Sequence, residues 1–250
     1  MKSALNHWFV NMSPSQETGI RLFCIPNSGG GPALFRTWSG RLPANIGVFA
    51  AQLPGQGSRL REEPPVKVDA LVAQLCEAVE PYVDEPFALF GYSMGALLAF
   101  ELARSLRRQG LPQPAHLFVG AWRAPQTPPL MSPIYQLPDE LFIQAIQRRY
   151  GGIPAAILED QELMAVFTPV LRANFTMIET YQYSDDTRFD FPLTAFGGTS
   201  DPAADESRLR AWGEQTRGRF ECHIYDGGHF FIQKHEQAVL EVISRGLASC

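Results

Sequence analysis

Short apolar runs alternate along this chain with segments whose apolar residues recur every three or four positions. The runs at 21–26, 47–52, 87–92, 116–121, 191–196 and 220–225 have the length of strands, and several are almost continuously apolar. Such runs suit strands covered on both faces, the usual condition of a parallel sheet. Between them Val68, Leu71, Val72, Leu75 and Val79 keep helical spacing, as do Leu97, Phe100, Ala103 and Leu106, and near the C-terminus Val239, Leu240 and Ile243. This alternation predicts an α/β fold, a mostly parallel central sheet with helices on both faces.

The stretch from 124 to about 190 interrupts the alternation, for it contains no strand pattern. It begins with Pro125, Pro128, Pro129, Pro133 and Pro138 and continues in helical patterns. Leu163, Val166, Phe167, Val170, Leu171, Phe175 and Ile178 form one apolar stripe, which Pro169 is expected to bend. A helical insertion placed after a central strand is expected to act as a lid over an active site. The whole chain, 1–250, is expected to form one domain.

Composition narrows the classes open to it. With 45% hydrophobic and 19% charged residues the chain can build a packed core and reads as globular rather than disordered. Its 21 basic and 26 acidic residues leave a net charge of −5, so no nucleic acid or anionic membrane is expected as partner. Residues 1–17 show neither a sustained apolar run nor a small-residue cleavage site, and no stretch reaches the ~18 apolar residues needed to cross a bilayer. Cys24, Cys76, Cys222 and Cys250 are scattered without a CxxC pair; the first three fall in apolar or periodic segments, where buried free thiols are expected. The expectation is a cytoplasmic, monomeric enzyme.

The strongest local signal is Gly91-Tyr92-Ser93-Met94-Gly95, a G-x-S-x-G nucleophile elbow. The pattern also occurs by chance, but here an apolar strand precedes it and Ala96-Leu97-Leu98-Ala99-Phe100 opens a helix after it. The serine must sit on a sharp turn where side chains at 91 and 95 would collide with neighbouring chain, and the helix N-terminus behind it favours developing negative charge. This context predicts the α/β-hydrolase fold with Ser93 as nucleophile.

A serine hydroxyl is a weak nucleophile and needs a base within reach. Of five histidines, His7 lies near the N-terminus, His116 and His223 fall in strand runs, and His235 sits in the last helical pattern. His229 stands in a Gly-Gly-His-Phe-Phe turn between the final strand and the final helix, at the edge of the sheet where open α/β folds bind ligands. The third member should be an acid after a late strand and before the histidine. Asp201, at the end of the loop beginning Gly197-Gly198, fits, and would fix the tautomer of His229 and stabilise its imidazolium. Asp185, Asp186 and Asp190 precede that strand and so lie at its wrong end; Asp226 fits a turn, and Asp205 a helix cap. For the oxyanion, one donor is the backbone N–H of Met94, and the other is expected from the loop Pro26-Asn27-Ser28-Gly29-Gly30-Gly31 after the first strand run. That loop matches neither of the glycine patterns that bind nucleotide phosphates. No histidine pair has metal-ligand spacing, so neither a metal nor a cofactor is expected.

With these pieces placed, the chain resembles the type II thioesterases, the stand-alone editing enzymes of polyketide and non-ribosomal peptide synthesis. The likeness spans nearly the full length. It rests on Cys24-Ile-Pro-Asn-Ser-Gly-Gly, Gln52-Leu-Pro-Gly-Gln-Gly-Ser-Arg59, Phe90-Gly-Tyr-Ser-Met-Gly95, Phe196-Gly-Gly-Thr-Ser-Asp201 and Gly227-Gly-His-Phe-Phe231. The animal medium-chain acyl-carrier thioesterases are similar in the same places. The resemblance implies a triad of Ser93, Asp201 and His229, oxyanion donors from the amides of Ser28 and Met94, and a mobile lid over 152–183. It also implies hydrolysis of acyl groups from the phosphopantetheine arm of carrier protein domains, which would be the partners. One departure stands out: Asn27-Ser28 replaces the Tyr-Ala usual in the family, which preserves a backbone donor and makes the adjoining wall more polar. Arg36, Arg41, Arg59 and Arg61 are candidates for contacting an acidic carrier surface, beside the plainer reading of ordinary solvated charges.

The triad leaves three other readings open, because fold and nucleophile do not fix substrate. They are a carboxylesterase or lipase, an acyltransferase or cyclase on the same scaffold, and a binding module that has kept the fold without catalysis.

Overall fold

A computed structural model describes residues 7–13 and 19–248. Among the described residues seven strands, β1 (Phe9–Asn11), β2 (Ile20–Ile25), β3 (Ile46–Ala51), β4 (Phe87–Tyr92), β5 (Leu117–Gly120), β6 (Leu193–Gly198) and β7 (Phe220–Tyr225), form one sheet in the order β1-β3-β2-β4-β5-β6-β7. Of these seven strands only β1 runs antiparallel, along the β3 edge. The chain moves outward from β2 to β3, then crosses back past β2 to β4. The crevice at the C-terminal ends of β2 and β4 is therefore the switch point at which open α/β sheets bind their ligands.

Helices α1 (Val68–Val79), α2 (Met94–Arg108), α3 (Asp139–Arg149), α4 (Ala155–Leu158), α5 (Gln161–Glu179), α6 (Glu206–Arg210), α7 (Phe231–Lys234) and α8 (Glu236–Leu247) complete the framework. Alternating strand residues divide the core in two, because successive side chains leave a strand on opposite faces. Phe23, Phe49, Leu89 and Val119 pack with α1, α2 and the buried side of α5. Leu22, Val48, Phe90 and Phe118 pack on the other face against Phe35, Trp38 and α8. Covering both faces explains why β2 to β6 read as nearly unbroken apolar runs.

Several sequence expectations need adjustment. Strand β1 was not foreseen: three residues are too few to show a period, and they become a strand only by pairing with β3. Gly197 and Gly198 belong to β6 rather than to the loop, since both pair with β7. Glycine is required there by crowding, not by a turn; a Cβ on Gly198 would stand 2.5 Å from the carbonyl oxygens of both Gly227 and Gly228. Helix α5 runs unbroken through Pro169, and the apolar stripe divides there. Val170, Leu171, Phe175 and Ile178 are buried, whereas Leu163 and Val166 are 50% and 46% exposed. Arg59 is no surface charge: it is buried, donates to the Gln52 carbonyl and to Glu62, and lies 3.8 Å over the Trp8 ring. Arg41 pairs with Glu236, and Arg36 and Arg61 are exposed.

Cys24 and Cys76 are buried free thiols and Cys222 is half-buried. Cys250, most of the N-terminal stretch read for a leader, and residues 14–18 lie outside the described residues. Among the described residues no helix is long and apolar enough to cross a membrane, and no three His, Cys, Asp or Glu gather into a metal-binding set.

Candidate active site

Strand β4 delivers Ser93 to the sheet edge through a turn that few sequences can make. Ser93 takes φ 55° and ψ −120°, a left-side conformation that L residues avoid and that here is held by its N–H bonding to Gly120 O at 2.7 Å. The flanking glycines are obligatory. A Cβ at Gly91 would stand 2.0 Å from Gly95 O, and one at Gly95 would stand 2.1 Å from Ile25 O. Helix α2 therefore passes against the end of β2 closely enough to bring the 27–31 loop beside Ser93. Met94 is the first residue of α2, so its N–H is among those without an acceptor inside the helix.

Two further loops meet this turn at the C-terminal ends of β6 and β7. They are joined to each other by Thr199 N–H to Tyr225 O and Ser200 N–H to Gly227 O, each 2.8 Å. This pairing carries Asp201 and His229 into line with the serine. His229 Nε2 lies 2.9 Å from Ser93 Oγ, and His229 Nδ1 lies 3.0 Å from each carboxylate oxygen of Asp201. Asp201, as a carboxylate, can only accept, so Nδ1 carries the hydrogen and Nε2 is free to accept from the serine hydroxyl. Asp201 Oδ1 is also held by the Ala203 N–H at 2.9 Å. All three side chains are buried, which strengthens the electrostatic coupling between them.

The structure thus brings together Ser93, His229 and Asp201, three residues far apart in the chain. It sends the rival groups elsewhere. Asp226 is exposed and pairs with Lys234 at 2.8 Å; Asp205 caps α6 through the Arg208 N–H. Asp186 binds Arg104 and Arg107, and Asp190 lies beside Arg217. His223 faces Glu221, His235 contacts the Asp226 carbonyl, and His7 lies beside Trp8. His116 is buried against Phe118 and Thr194, and burial lowers its pKa to about 4.

Around the triad lies a cavity of about 450 Å³ lined by both Ser93 and His229. Its wall is largely apolar, including Ile146, Tyr150, Ile153, Leu171, Phe175 and Ile178, while Asn27 and Ser28 supply a polar strip. Such a chamber suits an extended apolar group whose reactive end reaches the serine. Beyond Trp122, Tyr150, Phe175 and Ile178 lies a smaller cavity of about 110 Å³ that Arg123, Arg149 and Glu179 also line.

Three residues that shape the site escaped the sequence reading. Tyr92, the variable position of the elbow, donates its hydroxyl to the His229 carbonyl. Tyr150 lies against the His229 ring, 4.9 Å between centroids, and burial pushes its phenol up to about 12, keeping it neutral. Asn174 is buried on α5, where it bonds to the 28–29 loop. The signal for Asn174 was available, since an asparagine interrupting the apolar side of a helix needs a partner.

A family model described as "Thioesterase domain" matches residues 20–247. The gramicidin S biosynthesis protein GrsT of Aneurinibacillus migulanus is 41% identical over 98% of this chain and 95% of its own length. Among solved structures, the type II thioesterase BorB from the borrelidin biosynthetic cluster is 32% identical with a TM-score of 0.86, covering 96% of this chain and 97% of that one. The RedJ thioesterase from the prodiginine pathway in Streptomyces coelicolor is 34% identical with a TM-score of 0.85, covering 94% and 90%.

Proposed function

Because the chain belongs to the thioesterase domain family, we propose that it clears acyl groups from the phosphopantetheine arm of carrier protein domains through an acyl-enzyme on Ser93. It is a hydrolase acting on thioesters, a type II thioesterase of the kind found in polyketide and non-ribosomal peptide pathways. The carrier protein as partner, the residue roles and a cytoplasmic setting are our reading. So is the organisation as one domain with the 124–190 insertion as its lid.

In this reading His229 Nε2 takes the Ser93 proton as Oγ attacks the thioester carbonyl. The tetrahedral oxyanion is held by the backbone N–H groups of Ser28 and Met94. Collapse breaks the C–S bond, and the imidazolium returns its proton to the departing thiolate. A water molecule, deprotonated by the same imidazole, then attacks the ester, and a second collapse frees the carboxylic acid and restores Ser93. Asp201 keeps the imidazole in the required tautomer throughout. The observation that carries the reading is the Ser93–His229–Asp201 relay opening into an apolar cavity.

The test compares hydrolysis of one acyl group on a carrier protein, on coenzyme A and as a simple ester, for wild type and Ser93→Ala. The expected result is highest kcat/KM on the carrier protein and a loss of ~10³-fold or more in the variant. Faster turnover of the simple ester points instead to a carboxylesterase, and full activity without the Ser93 hydroxyl removes the mechanism.

A further inference from the structure

One buried side chain joins the helix over the cavity to the loop beside the nucleophile. Asn174 on α5 accepts, through its single amide oxygen, from the Gly29 N–H at 3.1 Å and from the Ser28 hydroxyl at 3.3 Å. The same helix presses two apolar residues onto Gly29. A Cβ there would stand 2.7 Å from the Phe167 ring and 2.8 Å from a Leu171 methyl, and Gly29 itself has φ +67°.

These contacts divide the amides of the loop. The Gly29 N–H is taken by Asn174 and the Gly30 N–H by Asn27 O at 3.0 Å. Ser28 N–H has no acceptor among the described residues, and Ser28 lines the same cavity as Ser93. A loop that continues Gly29-Gly30-Gly31 has little stiffness of its own. Yet an oxyanion donor acts only when held about 2.7–3.1 Å from where the charge develops.

We propose that Asn174 is a positioning residue, which fixes the Ser28 peptide as oxyanion donor and completes that donor only while α5 lies on the loop. The inference rests on the hydrolytic role assigned to Ser93 above. It gives the Asn27-Ser28 departure a purpose, since an alanine at 28 could not offer the hydroxyl that Asn174 accepts. Seating α5 over an acyl chain and assembling the oxyanion site are then a single event, and the uncovered enzyme hydrolyses slowly.

The test uses Asn174→Leu, Ser28→Ala and the double variant, with an octanoyl thioester of N-acetylcysteamine as substrate. Asn174→Leu is expected to lower kcat by about 10- to 100-fold with KM changed by less than about threefold. Ser28→Ala keeps the amide and should lose only about threefold in kcat. The double variant should be no slower than Asn174→Leu alone, because the hydroxyl acts only through Asn174. A kcat for Asn174→Leu within twofold of wild type, a loss confined to KM, or losses that multiply in the double variant each overturn the proposal. If Asn174→Leu does not fold, Asn174→Ser is judged by the same criteria. Hydrogen exchange at the Gly29 amide supplies a readout independent of turnover: about tenfold or more faster exchange in the variant supports the bond, and equal rates refute it. Wild type that fails to cleave the thioester, or Ser93→Ala that still does, counts against the hydrolytic role and not against the Asn174 contact.

Discussion

The hydroxyl of Tyr92, at the end of β4, donates to the backbone carbonyl of His229, across 137 positions of sequence. The strand that carries Ser93 therefore also anchors the loop that carries its hydrogen-bond partner. Burial, with the Asp201 charge nearby, pushes the Tyr92 phenol well up, so it remains a protonated donor. Tyr92→Phe deletes that donor and leaves a buried carbonyl unpaired, a cost of about 1–2 kcal/mol. Thioester turnover should fall by about 3- to 10-fold as the imidazole loses its fixed position. Urea unfolding and steady-state kinetics on the same preparation check both effects; unchanged kcat would leave Tyr92 a purely structural role.

Asp201→Asn exchanges an obligate acceptor for a group that can present N–H to His229 Nδ1. The favoured tautomer then places hydrogen on Nε2, where it faces Ser93 Oγ and blocks proton uptake. The expected loss in kcat is on the order of 10³- to 10⁴-fold with the fold retained. Fluorophosphonate labelling of Ser93 should slow in parallel, and labelling at the wild-type rate would contradict the assigned role.

Gly95→Ala forces a methyl group to within 2.1 Å of the Ile25 carbonyl oxygen, against backbone that cannot yield without moving β2 from α2. A destabilisation of at least about 3 kcal/mol is expected, far more than helix propensity could return. Chemical denaturation measures it, and a stability equal to wild type would show that the elbow packs more loosely than described.

His116 gives the fold an acid sensitivity unrelated to the triad. Burial lowers its pKa from 6.5 to about 4, so the unfolded chain binds its proton more readily than the folded one. Stability from the neutral ring is complete above the unfolded value and is lost as pH falls from 6.5 toward 4. Linkage puts the loss between pH 7.5 and pH 5 at about 2 kcal/mol. Urea unfolding at the two pH values should show it in wild type, and His116→Gln should remove most of the difference. A variant with the full wild-type pH dependence would move the effect to other groups.

Much of the scaffold was visible in the order of residues because its physics is local. The elbow is five consecutive residues, the strand runs advertise two-sided burial, and the turn in which Gly227 and Gly228 precede His229 sits where the last strand gives way to the last helical pattern. What escaped depended on partners. Strand β1 exists through β3, and Arg59 looks like a surface cation until Trp8, Glu62 and the Gln52 carbonyl are seen around it. The stripe of α5 could be counted, but not where cover ends along it: Leu163 and Val166 share its period with Leu171 and lie exposed.

The sequence alone determined which chemical groups stand at the C-terminal ends of which strands, since alternating strands and crossovers leave few arrangements for a parallel sheet. Only the tertiary structure decided the relations between those ends. The 2.9 Å approach of His229 to Ser93, the two 3.0 Å contacts of Asp201 with His229 Nδ1 and the contact of Asn174 with the 28–29 loop are contacts between distant segments. Their energies depend on tenths of an ångström and on burial, quantities that emerge when the sheet and its helices close on one another and that no local pattern encodes.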